Sequence, residues 1–257
     1  MKTLLFALIA LVPFSLADAD EAKELRLLSY NIHAGVGGDG EFDLERIAKV
    51  IKSARPHVVA LQEVDKETTR SKGIDIAKRL AELTGMKHLF GASIEFGGGY
   101  YGNAILTNLP IETTETVLLP EKIAVEKRSV LVADLNLDGE TIRILVTHFC
   151  HREEANRVAA VEAIAAKLVP ADMTSFVMGD LNATPDSKPL KVLAKAGWRN
   201  PSKKPTPTFP AADPTRQIDF VLHRTAGTRK DITVKHVRVL EEEVASDHRP
   251  LLVVFER

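Results

Sequence analysis

The sequence has 257 residues, 45% hydrophobic and 27% charged, the proportions of an ordinary globular domain; a disordered, collagen-like or many-span membrane chain is excluded. Lysine and arginine number 34 against 35 acidic residues, a formal net charge of -1, so no global positive field exists to hold a polyanion. Nucleic acid would have to be bound locally and is not the favoured partner.

Lys2, the unbroken apolar run over 4–12 and Ala17-Asp18-Ala19 read as a secretory signal peptide over residues 1–19: a cationic start, an apolar stretch about half the roughly 20 residues of a bilayer span, and small-x-small cleavage spacing. This predicts a secreted or periplasmic protein with no stable membrane anchor and a single domain over 20–257. Cys150 is the only cysteine, so no intrachain disulfide forms and packing supplies the stability. No partner protein is indicated, and a monomer is expected.

An apolar strand occupies 25–32, and Asp43 caps a helix whose Leu44, Ile47, Ala48 and Ile51 share one face until Pro56 stops it. A strand over 57–62 and a helix over 74–83 closed by Gly85 follow, giving β-α-β-α. Strand-length runs at 102–107, 111–119, 129–137 and 141–148, separated by turns such as Asn108-Leu109-Pro110 and Asp138-Gly139, predict an antiparallel meander. Helical spacing returns over 153–168 through Val158, Val161, Ala165 and Leu168. A strand at 175–178, a helix at 188–196 and closing strands at 218–222, 232–240 and 251–255 complete the chain. Residues 200–214 carry five prolines and read as a long surface loop. Helices recurring in each half predict an α+β fold: a four-layer αββα sandwich of two mixed, mainly antiparallel sheets with helices on the outer faces.

Polar residues sit where the strand runs end: Asn31, Glu63, His148, Asp180 with Asn182, Asp219, and Ser246-Asp247-His248 before the last strand. Any one of them is equally a turn or cap residue. As a set, Glu63, Asp180 and Asp247 supply hard carboxylate oxygens, Asn31 and Asn182 supply amide oxygens, and no Cys or His cluster of zinc spacing accompanies them. That composition selects Mg²⁺, or Mn²⁺, over softer ions.

The ordered motifs Tyr30-Asn31, Leu61-Gln62-Glu63, Tyr101-Gly102-Asn103-Ala104-Ile105-Leu106, Thr147-His148, Gly179-Asp180-Leu181-Asn182, Ile218-Asp219 and Ser246-Asp247-His248 resemble the endonuclease/exonuclease/phosphatase superfamily. The likeness spans residues 25–255. It implies the αββα sandwich and a metal-dependent phosphoesterase. Glu63 would be the main metal ligand, with Asn31 and Asp247 on the ion or its waters. His248, oriented by Asp219, would act at the phosphate. Asp180 would align or deprotonate the attacking water, Asn182 would hold that water or a phosphate oxygen, and His148 would touch the scissile phosphate. Arg128, more loosely, and Asn103 would bind substrate.

Thr147-His148-Phe149 departs from the apurinic endonuclease pattern of this superfamily, and aromatics are only 5%, too few for a long stacking groove. A small phosphoester or phospholipid headgroup is therefore the expected substrate, with a secreted nuclease as the alternative and a non-catalytic periplasmic binding module as the alternative of another class. Cys150 and His151 are read as structural, the Gly97-Gly98-Gly99 run as a flexible loop at the site mouth, Glu241-Glu242-Glu243 as a solvated turn, and His33, His57, His88, His223 and His236 as surface or core residues.

Overall fold

A computed structural model describes residues 24–225 and 232–256; the expected signal peptide lies outside them. The chain runs β1 (Glu24–Asn31), α1 (Leu44–Ala54), β2 (Val58–Lys66), α2 (Ile76–Thr84), β3 (Lys87–Phe96), β4 (Gly99–Thr107), β5 (Ile111–Leu118), β6 (Ser129–Leu137) and β7 (Glu140–His148). Then come α3 (Glu154–Lys167), β8 (Ser175–Asp180), α4 (Lys188–Lys195), β9 (Asp219–Arg224), β10 (Thr233–Val239) and β11 (Leu251–Glu256). The strands form one sheet of order β10-β11-β1-β2-β4-β3 and another of order β5-β6-β7-β8-β9.

Each sheet holds one parallel pair, β1/β2 and β7/β8, joined by a helical crossover through α1 and α3. All other neighbours are antiparallel. The helix ends follow local chemistry. Asp43 accepts from the Arg46 amide at 2.8 Å and Asp75 from the Lys78 amide at 3.0 Å, each satisfying an otherwise orphan N–H. Gly85 closes α2 at φ 75°, a left-handed conformation that glycine adopts without steric cost.

Three apolar clusters fill the spaces between the four layers. Leu28, Tyr30, Leu61 and Val64 pack under α1 and α2; Leu27, Val58, Ala60, Phe176, Met178 and Phe255 lie between the sheets; Leu145, Val177 and Phe220 pack under α3 and α4. The central strands of each sheet are thus buried on both faces, which is the physical content of the sandwich, while the edge strands β5 and β10 stay largely exposed.

Two sequence expectations need correction. The predicted four-strand meander is broken, because β4 pairs in the first sheet while β5, β6 and β7 pair in the second. The Asn108-Leu109-Pro110 turn therefore carries the chain across the sandwich; period-two patterning shows which residues face inward but not which sheet a strand joins. The second correction is β3, which was not anticipated. It pairs along β4 through a bulge between Ala92 and Ile94, and that irregularity with Gly91 hides its alternation. The Gly97-Gly98 pair turns this hairpin at positive φ.

Candidate active site

The polar strand ends converge. Asn31, His148 and Asp180 close β1, β7 and β8, while Asp219 opens β9 directly opposite Asp180. Open sheets present ligand groups at the carboxyl ends of parallel strands, and here both parallel pairs point to the same place.

Local backbone devices aim the side chains. Leu61 pairs with Ala104 and Val64 with Gly102, so β2 carries one extra residue against β4. Leu61 and Val64 both face the helix-side core, and Glu63, at φ 57°, is swung out of the alternation that would have buried it there. Such a conformation costs about 1–3 kcal/mol in a non-glycine residue and is held by its surroundings. Gly179 sits at φ 142°, and a Cβ there would lie 1.9 Å from the Thr147 carbonyl oxygen. No side chain fits, which explains the glycine before Asp180.

His248 Nδ1 bonds Asp219 Oδ2 at 2.8 Å, and the Thr208 hydroxyl donates to the same oxygen at 2.5 Å. Burial alone lowers the imidazole pKa, but the adjacent Asp219 carboxylate, followed by Asp180 and Asp247, raises it to about 10, so His248 is a cation at neutral pH. Asp180 is 2% exposed. Its Oδ1 accepts the Asn182 amide N–H at 2.8 Å, leaving Oδ2 facing Asn31 Nδ2 at 3.3 Å, His148 Nε2 at 3.4 Å and His248 Nε2 at 3.8 Å. Burial and the negative Asp219 push its pKa up to about 7.

His148 behaves differently. Burial first, and then the charges of Arg128 and His248, hold its pKa well below the usual value, so it is neutral. Its Nδ1 faces Arg128 NH1 at 3.0 Å. Arginine only donates, hence Nδ1 accepts and the proton sits on Nε2, towards Asp180. The Asn182 side-chain nitrogen lies 3.0 Å from the same Nε2 but, as a donor itself, directs its two N–H groups to the Phe149 carbonyl at 3.1 Å and to Asp180 Oδ2 at 3.4 Å.

These groups line a cleft of about 450 Å³ with Glu63, Arg70, Phe96, Tyr101, Arg128, His151, Phe209, Arg216 and Asp247. Of the ten expected site residues, Glu63, Asp180, Asn182, His148, His248, Asp247 and Arg128 reach its wall, and Asn31 and Asp219 brace it from behind. Asn103 does not reach it: the side chain is buried and donates to the Ser129 carbonyl at 3.3 Å. Arg70, Phe96, Phe209 and Arg216 were not singled out from sequence. His151 was read as structural but stands in the wall beside Arg128.

The family model described as Endonuclease/Exonuclease/phosphatase family matches residues 28–248, covering every strand that supplies the site. The chain belongs to this family. Family members are hydrolases of phosphoester bonds, and the Escherichia coli K12 protein YbhP, itself uncharacterized, is 26% identical over 91% of this chain and 97% of its own length. An endonuclease/exonuclease/phosphatase from Beutenbergia cavernae shares the fold with TM-score 0.76 at 24% identity, over 91% of this chain and 72% of that one. So does a mannosyl-6-phosphatase from Bacteroides thetaiotaomicron, with TM-score 0.74 at 17% identity, over 89% and 98%.

Two acidic groupings bear on the divalent ion that the family typically uses. Asp180, Asp219 and His248 bring one potential ligand atom each within 4.8 Å of one another, but His248 Nδ1 and Asp219 Oδ2 are bonded to each other and the imidazole is already a cation. Glu63 and Asp247 both face the cleft; among the described residues neither is drawn into a salt bridge, although Arg70 lies within electrostatic reach of Glu63 and His248 of Asp247. Glu63 Oε1 accepts only from Asn31 Nδ2 at 3.0 Å, while the Asn31 oxygen accepts the His33 amide at 3.1 Å. Two half-buried carboxylates free of salt bridges suit a hard cation with several water ligands; Asn31, presenting its nitrogen, steadies Glu63.

Proposed function

We propose that the protein is a secreted, Mg²⁺-dependent phosphoesterase, with Mn²⁺ as a substitute ion, that hydrolyses a small phosphoester or phospholipid headgroup by in-line attack of water. The observation that carries this reading is the pairing of opposite protonation tendencies across 3.8 Å: a carboxyl titrating near 7 in Asp180 and an imidazolium persisting to about 10 in His248. Groups whose environments push their pKa values apart divide into base and acid.

Attack on phosphorus builds negative charge on the non-bridging oxygens and the leaving group. Asp180 Oδ2 takes the proton of the attacking water, held by the Asn182 amide, while the ester P–O bond opposite the water breaks and the departing oxygen takes a proton from solvent. His248 Nε2–H and the neutral His148 Nε2–H donate to the phosphoryl oxygens, preoriented by Asp219 and Arg128, so no reorganisation is needed as charge develops. A divalent cation on Glu63 and Asp247 supplies the remaining charge neutralisation when bound. The near-zero net charge, with no excess of cations in the cleft lining, favours small substrates over a long nucleic acid.

Rates on bis-p-nitrophenyl phosphate, p-nitrophenyl phosphate, sphingomyelin and plasmid DNA test this reading. Turnover of the small esters, abolished by EDTA and restored by Mg²⁺, is expected, with plasmid DNA the poorest substrate; preferred cleavage of DNA, or no turnover of any of the four, would overturn it. Glu63→Gln withdraws one anionic oxygen from the cation, so half-maximal activity should need about tenfold or more additional Mg²⁺, the usual order for a perturbed metal shell. Superimposable Mg²⁺ titrations of the two proteins would remove Glu63 from the metal site.

A further inference from the structure

Three arginines and the charged His248 face the cleft, and all but one are neutralised locally. Arg70 is chelated by Asp65 through Nε and NH2 at 2.6 and 2.8 Å; Arg128 pairs with Glu126 at 3.0 Å; His248 pairs with Asp219 at 2.8 Å. Arg216 is exposed and, among the described residues, has no acidic partner. Its guanidinium carbon lies 5.6 Å from the centre of the Phe209 ring, and that ring lies 4.8 Å from the His248 imidazole. A single side chain links this free cation to the catalytic dyad.

The backbone fixes that spacing. Phe209 and Arg216 exchange both hydrogen bonds of an isolated antiparallel bridge, at 3.1 and 2.9 Å, and the Thr208 amide adds a third bond to the Arg216 carbonyl at 2.9 Å. Thr208 also donates its hydroxyl to Asp219. One short bridge at the end of the proline-rich loop therefore presents the ring against His248, the extra donor for Asp219, and a guanidinium with its N–H fork open to the cleft. An arginine stacked on an aromatic face loses little freedom on binding, and its planar fork matches phosphate or carboxylate. Glu63, Asp180 and Asp247 line the same cleft and repel a second anion from the rest of its floor.

We propose that Arg216 is a specificity-determining residue that binds a second anionic group, phosphoryl or carboxylate, on the substrate whose scissile phosphate lies at His248. The proposal rests on the phosphoesterase reading and narrows its substrates to phosphoesters carrying two anionic groups.

Fructose 1,6-bisphosphate, 6-phosphogluconate and glucose 6-phosphate serve as probes, offering a second phosphoryl, a carboxylate and neither. Each is measured as an inhibitor of bis-p-nitrophenyl phosphate hydrolysis and by calorimetry on wild type, Arg216→Gln and Arg216→Lys. Wild type should bind one of the first two at least about tenfold more tightly than glucose 6-phosphate, the size of one charge-assisted hydrogen bond. Arg216→Gln should reduce the ratio to about twofold or less, and Arg216→Lys should keep part of it; the preferred probe identifies the second group. Equal affinity of wild type for all three, or an undiminished preference in Arg216→Gln, overturns the proposal. Equal wild-type affinities overturn it even where a variant is unstable. Calorimetry reads them without turnover, so failure of the phosphoesterase reading is seen separately, in the absence of hydrolysis.

Discussion

His248→Ala should lower kcat on bis-p-nitrophenyl phosphate by about 10²- to 10⁴-fold, the range for a positioned proton donor, with the fold intact. The imidazole is 4% exposed and fixed between the Asp219 carboxylate and the Phe209 ring, so its Nε2–H is aimed before substrate arrives. Its contribution belongs to the transition state, where charge on the phosphoryl oxygens is greatest, so kcat should fall more than KM rises. The wild-type rate should also decline as pH rises through about 10, where His248 loses its proton, and that limb should be absent from the variant. Retention of more than about a tenth of wild-type kcat would remove the assignment.

Asp180→Asn should cost kcat on the same scale and have the opposite effect on stability. The amide keeps shape but accepts no proton, so the loss is chemical. Asp180 titrates near 7 when folded because burial and Asp219 disfavour its charge, against about 4 in an unfolded chain. A raised carboxyl pKa favours folding below the unfolded value and loses that advantage as pH climbs through the folded one. Ionised Asp180 is then a cost above about pH 7. The variant should melt above the wild type at about pH 8 and lose that lead towards about pH 4. Thermal melts across pH check this; a variant less stable than the parent at every pH would show that Asp180 braces the fold rather than straining it.

The convergent polar set was legible in the sequence because its members terminate buried strands, where apolar periodicity breaks on a lone polar residue: Asn31 after Leu28-Ser29-Tyr30, His148 after Val146-Thr147, Asp180 after Met178-Gly179. Strand ends are local features, and the family likeness tied them into one site. Arg70, Phe96, Phe209 and Arg216 escaped because a hairpin and irregular loops carry them, and no periodic signal predicts where a loop residue points. Asp65 bonding Arg70 and Phe209 lying against His248 are contacts that only the folded chain creates. Arg128 was expected at the phosphate; in the structure it reaches the cleft wall and also fixes the His148 tautomer. Asn103 carried a motif match, yet its amide is used between the sheets.

The hydrogen bond from Asn31 to Asp180 joins β1 of one sheet to β8 of the other. For the proposed hydrolysis, turnover is therefore a gauge of the gap between two slabs, set by interleaved rings such as Phe176 and Phe255, whose centres are 5.3 Å apart. Misplacing reacting groups by about 1 Å can cost two orders of magnitude, so repacking that interior is felt first as lost speed and only later as lost shape. In this architecture the apolar filling works as a spacer block for the chemistry at its edge.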